Sequence, residues 1–382
     1  MRILILGGDG YLGWPTAMHL SAKGHQIAVV DNYLRRQICL KADVEPLFPV
    51  PNLHMRAKLW SHLAGHEVLV FIGNLTNWEF ISEVFQQFTP DAVIHYAEQP
   101  SAPYSMLNRQ AAMLTLDNNL SVTANLIFAI KEYCPDAHIV KLGTMGEYGT
   151  PNIDIEEGWL AVSHKGRSHK FLYPRQASSL YHTTKIMDTD LLWFYVRMYD
   201  LRVTDLMQGP VYGLRTDETG GDERLMPFFN YDELFGTVLN RFVVQAVAGY
   251  PLTVYGKGGQ TRGYLNIKDT LNCVWLTLEN PAEKGQLRIF NQFTETFSVN
   301  DLADRVAVAG RLLNLPVQIK SIKNPRKEAE DHYYNPVHTG LLEIGLTPTY
   351  LTEDILVEMM ELVSKYRDHI RLDTIFRGVK WA

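Results

Sequence analysis

The sequence predicts an α/β fold with a doubly wound parallel sheet and a smaller C-terminal domain, and three observations support this prediction. Short apolar runs alternate with helical patterns over roughly the first 206 residues, as in parallel sheets whose strands are joined by helices. A glycine-rich turn joins the first apolar run directly to a helical pattern. The alternation then breaks down, which indicates that a second domain follows.

Composition argues against several classes of protein. A formal net charge of −6 provides no basic field for nucleic acid. Three distant cysteines, Cys39, Cys134 and Cys273, predict neither a disulfide framework nor a metal site, and indicate a reducing compartment such as the cytoplasm or an organelle stroma. No apolar run reaches the roughly 18 residues of a membrane span. Since a strand already begins at Arg2, we expect no leader peptide, although a processed precursor would look the same.

The first predicted strand leads directly into a glycine-rich turn. Residues 2–6 are apolar and branched, and Gly7, Gly10 and Gly13 follow at intervals of three before a helical pattern that runs to Leu20. Glycines let the backbone turn sharply and approach a pyrophosphate, which binds at the N-terminus of the following helix. This strand, turn and helix therefore predict a dinucleotide site.

The second predicted strand ends in an acidic residue, Asp31. A carboxylate at this position accepts hydrogen bonds from both ribose hydroxyls of the adenosine and repels a 2′-phosphate, which predicts NAD rather than NADP. Arg35 and Arg36 follow closely. They either cover the adenine or bind a phosphate, or they are two solvated arginines, and the sequence leaves both readings open.

A Tyr-x-x-x-Lys motif lies in a segment that is predicted to be helical from about 177 to 199. The spacing puts Tyr181 and Lys185 on one helix face, one turn apart. A fixed ammonium there is expected to lower the pKa of the phenol, so that Tyr181 can act as a base. Thr144, at the end of the fifth predicted strand, is placed to hydrogen-bond a substrate hydroxyl. The motif is common on helices, and it predicts catalysis here only because the start of the chain predicts a dinucleotide site.

Three further segments carry structural predictions. Residues 39–66 are a proline-containing insertion, and Asn118 and Asn119 in a long helix are expected to fix a neighbouring loop. Residues 158–176 predict a hairpin that is either a cationic lid over an anion or a solvated surface element. Its basic residues are His164, Lys165, Arg167, His169, Lys170 and Arg175.

Together these features resemble the extended short-chain dehydrogenase/reductase family, which includes sugar-nucleotide epimerases and dehydratases. The resemblance rests on the glycine motif, Asp31, Thr144, Tyr181 with Lys185, and the Arg-Gly-Tyr-x-x-Ile-x-Asp stretch at 262–269. It implies a Rossmann-type NAD-binding domain over 1–206 and a mainly nucleotide-sugar-binding domain over 207–382. Residues from about 262 to 290 are expected to return to the first domain.

Within this family the chain is most similar to a branch that forms a sulfonated nucleotide sugar from UDP-glucose and sulfite. This closer resemblance rests on the stretches 7–11, 101–106, 140–158, 252–264 and 332–335. It implies NAD-dependent oxidation at the sugar's fourth carbon, loss of water, addition of sulfite and re-reduction, in a homodimer. The alternatives are a nucleotide-sugar 4-epimerase or 4,6-dehydratase and, in another class, a non-catalytic NAD-binding sensor.

The resemblance also implies roles for individual residues, and none of them is a metal ligand. The implied catalytic residues, which also bind substrate or cofactor, are Thr144, Tyr181 and Lys185. The implied cofactor-binding residues are Gly7, Gly10, Leu12, Gly13, Asp31, Asn32, Arg35, Arg36, Leu75, Asn118, Tyr181, Lys185 and Gln208. The implied residues on the sugar side are Val211, Asn240, Arg241, Tyr255, Arg262, Arg326 and Glu328.

The chain departs from the family pattern at two positions, and its elimination step lacks an obvious acid and base. Pro100 replaces an arginine of the related branch, and Asn74 replaces an aspartate. Dehydratases have Asp-Glu directly after the threonine, where this chain has Met-Gly. Glu147 and His182 are therefore candidates for the missing proton transfers, with a purely structural role as the alternative for each.

Overall fold

The computed structural model describes residues 1–220, 222–326 and 332–378, and strands alternate with helices over its first half. These elements are, in chain order, β1 (Arg2–Leu6), α1 (Gly13–Ala22), β2 (Gln26–Asp31), α2 (Leu34–Lys41), α3 (Leu53–Ala64), β3 (Val68–Ile72), α4 (Trp78–Phe88), β4 (Ala92–His95), α5 (Ala102–Ser105), α6 (Arg109–Tyr133), β5 (His138–Thr144), β6 (Trp159–His164), β7 (Arg167–Leu172), α7 (Leu180–Tyr199) and β8 (Arg202–Gln208).

Shorter strands and more irregular connections make up the second half. Its elements are β9 (Val211–Tyr212), α8 (Val238–Ala248), β10 (Leu252–Tyr255), β11 (Thr261–Asn266), α9 (Ile267–Glu279), β12 (Gln286–Gln292), β13 (Glu295–Ser298), α10 (Val299–Leu312), β14 (Ile319–Ile322), α11 (Gly340–Glu343), α12 (Glu353–Ser364) and α13 (Leu372–Ile375). Within the described ranges, no helix is long and apolar enough to cross a membrane.

A parallel sheet forms the centre of the molecule and confirms the predicted fold class. In the described parts of the chain it has seven strands, in the order β12-β8-β5-β4-β1-β2-β3. All its neighbouring strands pair in parallel, so their carboxyl ends meet at one edge. The strand order reverses between β1 and β4, which is where ligands bind in sheets of this kind.

A second hydrophobic core lies among α8, α10 and α12 and includes part of the proline-containing insertion. The Leu47 N–H donates to the carbonyl of Phe229 at 2.9 Å, and the rings of Phe48 and Tyr366 meet edge to face at 5.0 Å. The division into domains at 206 stays a prediction. Two observations bear on it: β12 pairs with β8 in the central sheet, and residues of 39–50 pack with the C-terminal half.

The structure adjusts two predicted elements. The helix that carries Tyr181 begins at Leu180 rather than near 177, because Ser179 is extended and caps it by accepting a hydrogen bond from the His182 N–H. The predicted hairpin is present as β6 and β7, and Lys165 and Gly166 form its turn with positive φ angles. Such a turn matches the twist of the two strands.

Candidate active site

A cavity of about 790 Å³ opens at the carboxyl edge of the central sheet, against the second core. Most of the predicted site residues line it. On the predicted cofactor side these are Gly7, Gly10, Leu12, Gly13, Asp31, Asn32, Arg35, Leu75, Asn118 and Gln208, and towards the predicted sugar site they are Thr144, Tyr181, Val211, Arg241, Tyr255, Arg262 and Arg326.

Three of the predicted residues that the structure describes do not line the cavity. Arg36 and Lys185 are held by carboxylates, as described below. Asn240 serves the backbone, since its side chain accepts a hydrogen bond from the Gly213 N–H and its amide lies 3.4 Å from the Val211 carbonyl. Glu328 lies outside the described residues.

The glycine-rich turn is packed so closely that two of its glycines cannot be replaced. Gly7 has a φ of +90°, which side chains rarely adopt. A Cβ atom on Gly13 would lie 2.0 Å from the carbonyl oxygen of Gly7. The turn therefore keeps the first turn of α1 against β1 and leaves backbone N–H groups at the cavity.

Beside this turn lies a group of charges that we call the adenosine-end cluster: Asp9, Asp31, Arg36 and Arg56. Asp9 pairs with Arg36 at 2.7 Å and with Arg56, whose side chain is fully buried. The Asp9 N–H donates to the Asp31 carboxylate at 2.8 Å. Arg36 also donates to two backbone carbonyls of the insertion. Arg36 therefore ties the insertion to the glycine-rich turn, and its contact with a cofactor stays a prediction.

Burial and the nearby carboxylate of Asp9 raise the pKa of Asp31 to about 6. Asp31 still accepts hydrogen bonds from two backbone N–H groups, those of Asp9 and Tyr33. At pH 7 it is therefore mostly ionised. Arg35 lines the cavity beside it and is held by the Asn230 side chain at 2.8 Å.

Thr144 ends β5 and begins a tight turn. Its hydroxyl accepts a hydrogen bond from the Gly146 N–H at 3.1 Å, and its own N–H donates to Glu147 at 3.2 Å. Glu147 is fully buried, does not line the cavity, and pairs with Lys141 at 3.6 Å and Arg175 at 3.5 Å. Glu147 therefore has the structural role that was the alternative prediction: its carboxylate supports the turn that begins at Thr144.

Tyr181 stands on the first turn of α7, with its backbone N–H bonded to the Ser105 hydroxyl at 3.1 Å. The prediction of a lowered pKa for this phenol is wrong. Desolvation and then the carboxylates of Glu98 and Glu147 raise the pKa of Tyr181 above its ordinary value. The Lys185 ammonium does not offset this rise, because it forms a buried ion pair with Glu98.

Glu98 is a residue that sequence reasoning missed. It follows β4, lines the cavity, and its side chain is 4% exposed. The pairing with Lys185 could not be found from spacing, because 87 residues separate the two side chains.

The loop that holds Glu98 is fixed by the long helix α6, as predicted for its asparagines. The Asn119 side chain accepts a hydrogen bond from the Gln99 N–H at 2.8 Å and donates to Thr184 at 3.0 Å. Asn118, which lines the cavity, donates to Asn119. The buried side chain of Asn119 therefore connects the loop after β4 to helix α7.

The predicted sugar side presents three arginines to the cavity. The Arg241 guanidinium lies over the ring of Tyr255 at 5.1 Å, and Arg262 is within 2.9 Å of the His332 ring. Arg262 and Arg326 both influence His182. Burial and then the positive charges of these two arginines lower the pKa of His182 to about 3. His182 is thus a neutral imidazole at pH 7 on the cavity wall, between Tyr181 and two cations.

The remaining predictions concern the hairpin and the two departures from the family pattern. Of the predicted segment 158–176, which the structure describes in full, Gln176 alone lines the cavity, and strands β6 and β7 are mostly exposed. This favours the solvated surface element over the cationic lid. Pro100 and Asn74, the two departures, both line the cavity. Asn74 still supplies an acceptor, to the Thr76 N–H at 3.1 Å.

Comparisons with known proteins agree with this arrangement. Residues 3–291 match the model of the NAD dependent epimerase/dehydratase family. The chain is 49% identical to the chloroplastic UDP-sulfoquinovose synthase of Spinacia oleracea over 380 residues, which covers all of the chain and 79% of that protein. It is 44% identical to the UDP-sulfoquinovose synthase of Sulfolobus acidocaldarius, over 95% of the chain and 93% of that protein.

Solved structures with low sequence identity share the fold. The UDP-glucose 4-epimerase of Bifidobacterium longum in complex with NAD⁺ and UDP superposes with a TM-score of 0.72 at 17% identity, over 98% of this chain and 99% of that chain. The UDP-glucuronic acid 4-epimerase of Bacillus cereus with NAD and UDP-glucuronic acid gives a TM-score of 0.70 at 19% identity, over 96% and 99%.

Proposed function

The chain belongs to the NAD dependent epimerase/dehydratase family, and we propose that it acts there as a UDP-sulfoquinovose synthase, which forms UDP-sulfoquinovose from UDP-glucose and sulfite. The observation that carries this proposal is its identity of 49% and 44% to two such synthases over nearly the whole chain. The product would serve in the synthesis of a sulfolipid or another sulfosugar.

NAD is the cofactor that fits the residues present. The glycine-rich turn, with no room for a Cβ on Gly13, offers backbone N–H groups to a pyrophosphate at the start of α1. Asp31 would hold the adenosine ribose, and Asn118 and Gln208 line the same cavity. When bound, the nicotinamide accepts a hydride from the sugar's fourth carbon, returns it in the last step, and adds a positive charge beside the phenol.

Tyr181 would take the proton from the hydroxyl on the fourth carbon of the sugar, because it lies on the cavity wall with Thr144. Its raised pKa means that the phenol holds its proton until further positive charge arrives. Thr144 would hold the same sugar hydroxyl. Lys185, a buried ammonium one turn further along α7, would stabilise the phenolate once formed.

His182 is the residue that we assign to the elimination and addition steps. The ketone on the fourth carbon acidifies the C–H bond on the fifth, and His182 on the cavity wall would accept that proton. Because its pKa is lowered to about 3, the imidazole is a weak base and would hold the proton only until the leaving hydroxyl takes it. The C–O bond on the sixth carbon then breaks, and the hydroxyl leaves as water with this proton. The sulfur of hydrogen sulfite next bonds to the sixth carbon, and its proton passes to the fifth. As the ketone is reduced again, Tyr181 would return its proton to the oxygen on the fourth carbon, which completes the product.

One incubation tests the proposed reaction. Purified protein with NAD, UDP-glucose and sulfite should yield a nucleotide sugar in which a sulfonate replaces one hydroxyl, detected by mass spectrometry. Reactions without sulfite, and with Tyr181→Phe, are the controls. A sulfite-independent C4 epimer or a 4-keto-6-deoxy sugar would identify an epimerase or a dehydratase instead. No turnover of any nucleotide sugar by a protein that binds NAD would favour the sensor.

We also expect a homodimer, formed through α6 and α7. These helices pack side by side, and large apolar residues stay exposed on them: Phe128 is 40%, Phe194 47% and Met198 55% exposed. Neighbouring exposed apolar side chains of this size mark interaction sites. Light scattering should give a dimer, and a Phe194→Glu/Met198→Glu variant should give monomers. The cytoplasmic or stromal location stays a prediction.

A further inference from the structure

Glu98 forms the ion pair that lies next to the catalytic tyrosine. Its Oε1 atom contacts the Lys185 ammonium, and both side chains are almost wholly buried. Its Oε2 atom is buried and has no hydrogen-bond partner among the described residues. A carboxylate in such surroundings keeps an unusually strong electrostatic influence, because little water screens it.

The pKa shifts of the neighbouring groups favour their neutral forms, so the charges of this pair dominate the local electrostatic field. Burial holds the pKa of His95 well below its usual range, and the nearby Lys185 lowers it further. Burial and then Glu98 raise the pKa of Asp188 well above its usual range. Both shifts favour the neutral forms of His95 and Asp188. Lys185 stays protonated, since carboxylates outweigh its desolvation. Lys185 and Glu98 form the ion pair one turn from Tyr181, and Lys141, Glu147 and Asp205 form a second buried cluster.

Glu98 and Tyr181 both line the cavity in which we propose that NAD binds, so the nicotinamide would change its charge near this pair during the reaction. The nicotinamide ring is positive when oxidised and neutral when reduced. The Lys185 ammonium alone would repel the oxidised ring, whereas the Glu98 carboxylate attracts it. The sign of the local field, and with it the preferred oxidation state, therefore depends on Glu98.

We propose that Glu98 is a positioning residue that balances the charge of Lys185 and thereby makes the site bind NAD⁺ in preference to NADH. A reaction that returns its hydride to the same sugar needs this preference, because a site that stabilised NADH would stop after the first oxidation. The inference rests on the proposed function only in taking NAD as the cofactor.

The test compares the affinity of the protein for NAD⁺ and NADH by calorimetry, without sugar or sulfite. Glu98→Gln keeps the shape of the side chain and removes its charge. We expect the ratio of the Kd for NADH to the Kd for NAD⁺ to fall about tenfold, which corresponds to about 1.4 kcal/mol. The matched control is Glu83→Gln, on the exposed face of α4, which should leave the ratio unchanged. An unchanged ratio in Glu98→Gln would overturn the proposal.

Two further variants separate charge from structure. Glu98→Gln/Lys185→Met removes both charges, and the ratio should return to within about threefold of wild type even though both affinities fall. Glu98→Asp keeps the charge and should also keep the ratio, whereas a tenfold change there would show that shape matters and charge does not. Because binding alone is measured, these results hold or fail independently of the sulfite-dependent product assay.

Discussion

Two clusters of charged residues lie at the carboxyl edge of the same sheet, and their roles differ. The adenosine-end cluster follows β1 and β2, whereas Glu98, Tyr181 and Lys185 gather beyond β4 and β5, on the other side of the switch point. In the first, arginines from the insertion side close around Asp9. In the second, Tyr181 keeps its phenol at the cavity while its surroundings oppose proton loss. The first cluster therefore holds a loop in place, whereas the second keeps an ionisable phenol at the cavity.

The largest effect is expected when the closed cluster is broken. Asp9→Asn leaves the fully buried Arg56 without its carboxylate, and an unpaired buried charge costs about 3–5 kcal/mol. Urea denaturation should show a loss of this size in the free energy of unfolding. Asp304→Asn, on an exposed helix face, is the control and should change little. A loss below about 1 kcal/mol in Asp9→Asn would mean that the cluster is not structural.

The second cluster should respond in turnover and not in stability. Tyr181→Phe removes the phenol that we propose takes the sugar's proton, and it keeps the ring, so we expect turnover to fall by about 100-fold or more. Thermal unfolding and the Kd for NAD should stay close to wild type. Turnover near the wild-type level would show that another group is the base, and His182 would be the next candidate.

The sugar side should show an effect on binding rather than on chemistry. Arg262→Ala and Arg326→Ala each remove a cation that we expect to grip the pyrophosphate. A charge-assisted hydrogen bond contributes about 1.5–3 kcal/mol, so the Kd for UDP-glucose should rise by roughly 10- to 100-fold while kcat is spared. Lysine should restore affinity only in part, because it cannot make a two-pronged contact.

Exposed Arg224, which pairs with Asp222, provides the matched arginine control for these titrations. Arg224→Ala should leave the Kd for UDP-glucose unchanged. Unchanged affinity in Arg326→Ala alone would assign the pyrophosphate to Arg262 and leave Arg326 with an influence on His182 only.

The smallest effect concerns the choice of cofactor at the adenosine end. Asp31 is ionised above its pKa of about 6 and protonated below it, so its repulsion of a 2′-phosphate fades as the pH falls from 8 to 5. The preference for NAD over NADP should therefore shrink by about tenfold over this range. Asp31→Asn should show the weaker preference at pH 8 already. Equal affinity of the wild-type protein for both cofactors at pH 8 would contradict the assignment.

Features with local causes could be predicted well from the sequence. At the N-terminus, the apolar run predicts the strand, and the glycines predict a turn that packs closely against the helix after it. The spacing of Tyr181 and Lys185 follows from the geometry of α7. The hairpin at Lys165 and Gly166 follows from its turn residues, although its distance from the cavity could not be inferred from them.

Tertiary structure decided what the charges do. Asp9 meets Arg56 across 47 residues and Lys185 meets Glu98 across 87, and no periodic pattern announces either pair. Such encounters also bind Arg36 to Asp9 and reverse the expected shift in the pKa of Tyr181. The physical reason is that burial and close partners govern the energy of a charge. Sequence by itself determined which ionisable groups the chain carries and how its strands run, and only the folded chain determined which of those groups face one another away from water.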